Sequence, residues 1–335
     1  MKHFFVINPI LFEASGQLPE IIKAIEDCFP SPEKEEDKEY KIHITLFPRE
    51  AIAAVHHYIS SCPKEETVRI YSVGGAGLFF ECLNGMVDFP NAELTCVSYG
   101  VASEFALTFG QKNAKKFQDI KSLMAAPSRP MDILRCGTNY VLLGLSIGLI
   151  GQTVIRTRKI FPHLPKKWLE KHSGLAYSIC ALVTMFDKKI MKQKYKITMD
   201  GKDMSGAYCN FFISNIATKG GGLVPTPYAK PNDGVVDVLF VDAISKFGVM
   251  KIIGDVNNGH YEKHPHCHYA TFKTMEIESD ELISVEMDGE AFYARELKIE
   301  VIPGGVKIFV PEGLDFADYS ERAYKPVAKG GVANE

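Results

Sequence analysis

The sequence has a single tryptophan, no closely spaced cysteines and no long hydrophobic run. Its eight cysteines are well separated, and its longest apolar run, from Tyr140 to Gly151, is interrupted by glycines. A bilayer-spanning helix needs about 18 consecutive apolar residues, and a compact zinc or redox motif needs neighbouring cysteines. We therefore expect neither feature, and the separated cysteines indicate reduced thiols in a cytoplasmic protein. The N-terminal MKHFFVINP leads directly into a strand pattern, which argues against a signal peptide.

The net charge is also small. The chain has 38 Lys and Arg and 41 Asp and Glu, and its formal charge of −3 provides no global positive field that would attract nucleic acid. Apolar residues make up 46% and charged residues 24%, which is the composition of an ordinary globular protein. At 335 residues the chain is long enough for two domains of about 150 residues each.

Two patterns follow one another along the chain. In residues 1–128, short β-type runs such as FFVINP and VRIYSV alternate with amphipathic helical stretches, which predicts an α/β domain with a parallel sheet. Residues 129–310 contain short strands separated by turns, VLLGLSIGLIGQTVI among them, which predicts an antiparallel β-sandwich. Helical stretches near 165–187 and 244–258 interrupt this second domain. Residues 311–328 are expected to pack back on the first domain.

A glycine-rich turn follows the strand VRIYSV. Gly74, Gly75 and Gly77 surround Ala76, and a helix is expected to begin near Leu78. Glycines between a strand and a helix allow backbone N–H groups and the helix N-terminus to approach a phosphate. A tight turn with no ligand is the alternative explanation of this pattern.

Several motifs occur in a fixed order. They are Asn8-Pro9 with Gly16 downstream, SVGGAGLFFECLNGM (72–86), SYGVASEFA (98–106), GGGLVPTPYAKPNDGVVDVLFV (220–241) and MDGE (287–290). Together they resemble the diacylglycerol kinase and sphingosine kinase family of lipid kinases, whose glycine loop reads GGDGT and is followed by E-x-x-N-G. The resemblance covers about residues 4–311. It implies an α/β nucleotide-binding domain like that of NAD kinases, then a β-sandwich, with the active site in the cleft between them.

The resemblance also implies roles for individual residues. Glu290 corresponds to the family's general base, and strand alternation would point Asp288 to the same face as its partner. Asp233 corresponds to a site for a structural Mg²⁺ or Ca²⁺ ion. An exposed acidic turn at 288–290 and a simple Asp-Gly turn at 233 are the alternatives. Binding of ATP with Mg²⁺ is implied for Asn8, Gly74, Gly75, Gly77, Glu81, Gly100 and Glu104.

The sequence departs from the family where the polar lining of the site would be. Ala76 and Leu78 stand where the family has Asp and Thr, and Val101, Ser103 and Glu104 stand where it has Thr, Asn and Asp. Phosphoryl transfer depends on carboxylates and hydroxyls that hold the metal and the nucleotide, and an alanine supplies neither. These substitutions predict weak nucleotide binding. Ala76 and Leu78 favour a non-catalytic member of the family, whereas the intact Glu290, Asp233 and Glu81 favour a kinase.

A basic segment extends from residue 156 to residue 196. It contains eleven Lys and Arg and two acidic residues, with Phe161, Leu164, Trp168 and Leu169 among them. This composition is typical of a helix that lies on an anionic membrane surface, and a solvated lysine-rich face is the alternative.

Three functions are compatible with these observations. The leading one is an ATP-dependent lipid kinase that phosphorylates the hydroxyl of diacylglycerol or a related lipid, with a cytoplasmic location and peripheral membrane association. The second is a catalytically impaired relative that binds or regulates lipid. The third is a nicotinamide or sugar nucleotide kinase of the related fold, which the basic aromatic segment disfavours. The identity of the lipid, the nucleotide preference and the oligomeric state stay open, and a homodimer is one alternative.

Overall fold

The computed structural model describes residues 1–13, 16–30, 38–99, 103–219, 223–256, 260–261 and 264–320. Its first part has an α/β architecture and its second part is dominated by antiparallel strands, the two-domain arrangement expected from the sequence. In the described parts of the chain, every helix is too short or too polar to cross a bilayer.

Four parallel strands form the sheet of the α/β part. They are β1 (Lys2–Ile7), β2 (Tyr40–Ile44), β3 (Val68–Val73) and β4 (Ala92–Cys96), in the order β4-β3-β1-β2. The helices of this part are α1 (Ile10–Glu13), α2 (Leu18–Glu26), α3 (Glu50–Ser61), α4 (Ala76–Met86), α5 (Glu104–Leu107) and α6 (Ile120–Ala125), with a 3₁₀ helix at Gln111–Gln118. Each residue of β3 is buried, because helices cover both faces of a parallel sheet. The carboxyl ends of β1, β3 and β4 meet at one edge, which brings together the segments that follow them.

The second part is an antiparallel assembly of ten strands among the described residues. They are β5 (Ser128–Cys136), β6 (Asn139–Val141), β7 (Gly144–Gly148), β8 (Lys194–Met199), β9 (Lys202–Asp203), β10 (Gly206–Ser214), β11 (Val236–Asp242), β12 (Cys267–Phe272), β13 (Thr274–Met287) and β14 (Glu290–Phe309). Its helices are α7 (Leu149–Ile160), α8 (Lys166–Thr184), α9 (Lys188–Met191) and α10 (Lys246–Val256), with a 3₁₀ helix at Phe161–His163. The segment VLLGLSIGLIGQTVI is therefore only partly extended. Its second half forms α7, because Gly148, at φ 92°, ends the strand and turns the chain into a helix.

The two parts share β14 and β5. β14 pairs with β13 in the sandwich, and Lys307 and Ile308 near its end pair in parallel with β4. β5 lies antiparallel to β14 over most of this length. After β14 the chain lies against the α/β core, where the Phe316 ring stacks on Phe109 with centroids 5.1 Å apart. This shared pairing fixes the hairpin between β13 and β14 relative to the edge of the parallel sheet.

Candidate active site

The glycine turn lies at the carboxyl edge of the parallel sheet, between β3 and α4. Gly75 is the N-cap residue of α4, and among the described residues no side chain caps its first turn. A helix N-terminus has backbone N–H groups without intrahelical partners and a partial positive charge, which together favour a phosphate. The backbone from Gly74 to Gly77 is therefore suited to the phosphates of a nucleotide.

Leu78 packs against this turn. A Cβ atom built on Gly74 would lie 2.8 Å from Leu78 Cδ2 and 3.3 Å from Asn8 Cβ, so a larger residue there would displace the Leu78 side chain. Leu78 itself is 5% exposed. Hydrocarbon thus borders the glycine turn at the position where the lipid kinase family that the sequence resembles has a hydroxyl group.

The MDGE motif forms a two-residue hairpin turn between β13 and β14. Met287 pairs with Glu290 across the turn, and Asp288 and Gly289 have positive φ angles of 44° and 86°. Asp-Gly is a preferred pair for such a turn because both central residues are left-handed. The expectation that Asp288 and Glu290 point to one face of a strand is wrong, because the turn interrupts the alternation.

Asp288 points inward and is 1% exposed. Its carboxylate accepts hydrogen bonds from the backbone N–H groups of Leu142, Leu143 and Gly144 at 2.6, 3.1 and 3.0 Å. Burial raises the pKa of Asp288 to about 6, while Lys219 and the backbone donors act in the opposite direction. Asp288 therefore anchors the chain that enters β7 to the hairpin turn, and its oxygens are occupied by these bonds.

Glu290 faces the glycine turn and is bound by Arg158 of α7. A Cβ atom built on Gly77 would lie 3.1 Å from Glu290 Oε1. Arg158 donates from Nη1 to Glu290 Oε2 at 2.9 Å and from Nη2 to Oε1 at 2.8 Å, and Nη2 also donates to the Gly289 carbonyl. These hydrogen bonds raise the pKa of Arg158. Paired bonds of this kind fix a carboxylate in both position and orientation.

A buried ion pair between Lys219 and Glu286 also contacts the hairpin turn between β13 and β14. Lys219 Nζ lies 3.1 Å from Glu286 Oε2 and donates to the Gly144 carbonyl at 3.0 Å. Glu286 Oε1 accepts from the N–H group of Gly289 at 2.8 Å. Burial disfavours the ammonium, yet the charge of Glu286 holds the pKa of Lys219 above its usual value. The pair therefore links Lys219, which follows β10 in the chain, to the hairpin that carries Glu290.

The Glu81 carboxylate is bound by backbone N–H groups of the protein, whereas contact with a nucleotide would need free carboxylate oxygens. Its carboxylate accepts from the backbone N–H groups of Arg49 at 2.9 Å and Ala51 at 3.1 Å, at the start of α3. Burial raises the pKa of Glu81, and the nearby Glu290 carboxylate raises it further. Both oxygens of Glu81 thus hold the N-terminus of α3, and its contact with a nucleotide stays a prediction.

The other predicted nucleotide-binding residues lie around the same edge. Asn8 follows β1, and its Oδ1 accepts from the N–H group of Ile10 at 3.1 Å. Glu104 begins α5 and borders a cleft of about 480 Å³, together with Lys219 and Asp315. Gly100 lies outside the described residues.

Asp233 lies in an exposed turn, where Oδ1 accepts from the N–H group of Val235 at 3.2 Å. A buried carboxylate near this turn is that of Asp132, which accepts from the N–H groups of Gly234 and Gly304 at 2.7 Å each. Across the ranges that the structure describes, no three His, Cys, Asp or Glu side chains converge as a metal site would need. The structural metal ion at Asp233 stays a prediction.

An apolar pocket of about 520 Å³ opens beside the sandwich, between α8 and α10. Its floor is the outer face of β10 and β11, where Phe212 and Val241 are buried. Its walls include Met185 and Leu182 of the α8 region and Ile252 of α10. The volume falls in the range of about 300–1,000 Å³ that is usual for small-molecule sites, and the lining suits a hydrocarbon chain.

The two helices that form this pocket also expose apolar side chains to solvent. We call this set the apolar helical face; it consists of Leu175, Ile179, Leu182, Val183 and Phe186 from the α8 region with Phe247, Met250 and Ile253 from α10, each 39–73% exposed. Lys246 Nζ lies 3.7 Å from the centroid of the Phe186 ring, which joins the two helices. Lys188, Lys189 and Lys251 are exposed nearby in the chain. A clustered apolar surface of this kind is a candidate binding site for an apolar partner.

Sequence reasoning missed several of these residues. The sequence places Arg158 in the basic segment 156–196 and gives it no partner. A basic residue in the last turn of a helix is nevertheless a candidate partner for an acidic motif such as MDGE. The apolar residues of α10 recur at i, i+3 and i+6, a spacing that was visible in the sequence. The pairing of Lys219 with Glu286 carried no sequence signal, because 67 residues separate the two.

Two family models match the chain. The model described as "Diacylglycerol kinase catalytic domain" matches residues 23–136, and the "YegS C-terminal NAD kinase beta sandwich-like domain" matches residues 166–310. A "Probable lipid kinase YegS-like" from Shewanella frigidimarina is 23% identical over 76% of this chain and 80% of its own length. Another of the same name from Alcanivorax borkumensis is 25% identical over 73% of this chain and 79% of its length. A solved diacylglycerol kinase structure from Bacillus anthracis shares the fold, with a TM-score of 0.65 and 18% identity, covering 94% of this chain and 98% of that one.

Proposed function

The chain belongs to the diacylglycerol kinase-like family of lipid kinases, and on that premise we propose that it transfers the γ-phosphoryl group of ATP to the hydroxyl of diacylglycerol or a related lipid. The observation that carries this proposal is the position of Glu290. Its carboxylate adjoins the glycine turn, on a hairpin of the same domain that forms the apolar pocket. A base beside a phosphate loop, with a hydrocarbon site in the same domain, suits a lipid alcohol as the acceptor.

Each part of the proposed reaction has a candidate in the chain. The N–H groups at the start of α4 would hold the nucleotide phosphates, and ATP would supply the phosphoryl group. Glu290 would accept the proton of the lipid hydroxyl, a role that contributes about 10²- to 10⁴-fold in rate. Arg158 would orient Glu290, and its positive charge lies next to the phosphate loop.

The two carboxylates of the MDGE turn do not fit a protein-bound Mg²⁺ ion in this arrangement. Asp288 is enclosed by backbone donors, Glu290 is paired with Arg158, and residue 76 is alanine. We therefore derive no step through a metal that the protein itself holds.

Peripheral membrane binding is the second element of the proposal. A lipid substrate stays in the bilayer, so an enzyme that uses it must reach the interface. The apolar helical face surrounds the pocket between α8 and α10, and the basic residues near it would be attracted to anionic headgroups. We propose that this face rests on the cytoplasmic leaflet and that the lipid enters the pocket from there.

The proposed activity is tested by incubating the protein with radiolabelled ATP and mixed micelles that contain diacylglycerol or other lipid alcohols. Phosphate transfer to a lipid, lost when Glu290 is replaced by glutamine, is the expected result. No transfer to any lipid of a broad panel would contradict the kinase proposal.

A lipid-binding protein without kinase activity is the second candidate. It is favoured by the contact of Leu78 with Gly74, which puts an apolar side chain where a phosphate ligand would need polar groups. This candidate predicts that lipid binds the apolar pocket with unchanged affinity whether or not ATP is present. A kinase would show turnover in the same sample.

A further inference from the structure

One polar side chain lies in the floor of the apolar pocket. Asn210 of β10 is 3% exposed and shares its face of the strand with Phe212. The residues opposite it in the sheet are Val241 of β11 and Gly148 of β7. Neither of these strand neighbours offers a polar side chain, and most of the pocket lining is hydrocarbon, with Tyr177 and Ser178 of α8 as further polar residues.

The hydrogen bonds of Asn210 define which way its amide points. Oδ1 accepts from the backbone N–H group of Ile150, in the first turn of α7, at 2.9 Å. A flipped amide would set its NH₂ group against that N–H donor, so the assignment is determined by the backbone. The Nδ2 group has no hydrogen-bond partner among the described residues, and it is fully buried. Native proteins rarely leave such a donor unpaired, because its desolvation is not compensated.

The missing partner of Nδ2 must accept a hydrogen bond, and it must not bring a donor of its own that would stay unpaired. A water molecule would require two to four polar neighbours, and a hydroxyl group would bring its own donor into hydrocarbon surroundings. A carbonyl oxygen only accepts, so it matches an amide NH₂ group, which offers donors and no acceptor, in a mostly apolar wall.

We propose that Asn210 is a specificity-determining residue whose Nδ2 group donates a hydrogen bond to the ester or amide carbonyl of a lipid bound in the apolar pocket. The proposal rests on the lipid-dependent function proposed above and refines it. The hydrogen bond from Asn210 would select acyl lipids over lipids with plain alkyl or ether-linked chains. The Oδ1 atom meanwhile caps α7, the helix that carries Arg158, so the lipid contact and the orientation of Glu290 involve the same helix.

A double-mutant cycle on protein and ligand tests this assignment. The ligands are 1-palmitoylglycerol and its ether analogue 1-O-hexadecylglycerol, which differ at the carbonyl group, and the proteins are the wild type and Asn210→Leu. Dissociation constants are measured by displacement of a fluorescent long-chain alcohol. We expect the wild type to prefer the ester by about tenfold, the worth of one hydrogen bond, and the variant to show no preference. The loss of the cap on α7 affects both ligands equally and cancels in the cycle.

The outcomes separate this inference from the function on which it rests. Binding of both lipids with equal affinity by the wild type, or a preference that survives in Asn210→Leu, overturns the role of Asn210 and leaves the lipid site intact. Failure of the wild type to bind either lipid contradicts the lipid function and the inference with it. If the variant does not fold, infrared spectra of ¹³C-carbonyl palmitoylglycerol bound to the wild type test whether the lipid carbonyl accepts a hydrogen bond. A carbonyl band at lower frequency than in hydrocarbon supports the bond, and an unshifted band overturns it.

Discussion

Arg158 and Glu290 form a bidentate ion pair directly beside the glycine turn. The two hydrogen bonds, of 2.9 and 2.8 Å, hold the carboxylate of the proposed base in one orientation, and a third to the Gly289 carbonyl attaches the same guanidinium to the hairpin. The Arg158 and Glu290 side chains are 44% and 29% exposed, so the pair contributes little to stability. Its importance lies in positioning the carboxylate.

Arg158→Gln should therefore reduce turnover while leaving the protein folded. We expect a loss of about tenfold or more, because a carboxylate free to rotate is less often aligned with the lipid hydroxyl. In the double variant with Glu290→Gln, the rate should equal that of Glu290→Gln alone, since Arg158 acts through Glu290. Arg156→Gln on the same helix, which loses a pair with Asp187, is the matched control. Independent, multiplying losses would contradict a positioning role.

Leu78 provides a test of the glycine turn. We expect the wild type to bind Mg·ATP only in the high micromolar range or more weakly, since Ala76, Leu78 and Val101 lack the family's polar groups. Leu78→Thr should strengthen binding by about 10- to 100-fold through one hydrogen bond to a charged phosphate, as measured by calorimetry. Leu78→Val has nearly the same shape without the hydroxyl and should not. Equal affinities of the two variants would show that the missing hydroxyl is irrelevant.

The apolar helical face should bind anionic vesicles in a salt-sensitive manner. Each Lys or Arg near the surface contributes about 1 kcal/mol, which is screened as ionic strength rises. Changing Lys188, Lys189 and Lys246 to glutamate should abolish sedimentation with phosphatidylserine vesicles. A control with Lys202, Lys298 and Lys307 changed to glutamate, which lie on β9 and β14 outside the basic segment 156–196, should sediment like the wild type. Equal loss in both variants would mean that only net charge matters.

Asp237 of β11, the second acidic residue of the DGVVDV sequence (233–238), leads us to expect a pH-dependent stability. Burial raises the pKa of Asp237 to about 6, and the hydroxyl of Tyr269, which donates a hydrogen bond to it, acts in the opposite direction. A raised pKa means that the stability contribution of Asp237 is present at acidic pH and is lost as the pH rises through about 6. Removing the hydroxyl with Tyr269→Phe should make that loss larger.

We expect Tyr269→Phe to lower the free energy of unfolding more at pH 7.5 than at pH 5, by about 1–2 kcal/mol, because a hydrogen bond to a charged group is the stronger one. Urea unfolding at the two pH values measures this difference. Tyr208→Phe, which loses a hydrogen bond to the neutral carbonyl of Met204, should show no such pH dependence. A pH-independent effect of Tyr269→Phe would contradict a charged Asp237 at neutral pH.

Periodicity and turn residues predicted the alternating strands and helices of the α/β part and the antiparallel character of the rest. They failed for α7, because a run of apolar residues with glycines has the same local pattern in a strand as in a buried helix. They also failed for Asp288, since strand alternation applies only until a turn begins. Asn210 could not be recognised at all, because its unpaired amide depends on Ile150 and on neighbours from other strands.

The central claim, that Glu290 acts as the base of a lipid kinase limited by its altered glycine turn, is tested most directly by combining repair with removal of the base. We expect Ala76→Asp with Leu78→Thr to increase phosphate transfer from ATP to diacylglycerol, since both groups act near the phosphates. Glu290→Gln should then abolish transfer in the wild-type and repaired proteins, by a factor of about 10² to 10⁴. Transfer that survives Glu290→Gln, or a repaired protein that binds ATP and phosphorylates no lipid, would contradict this account.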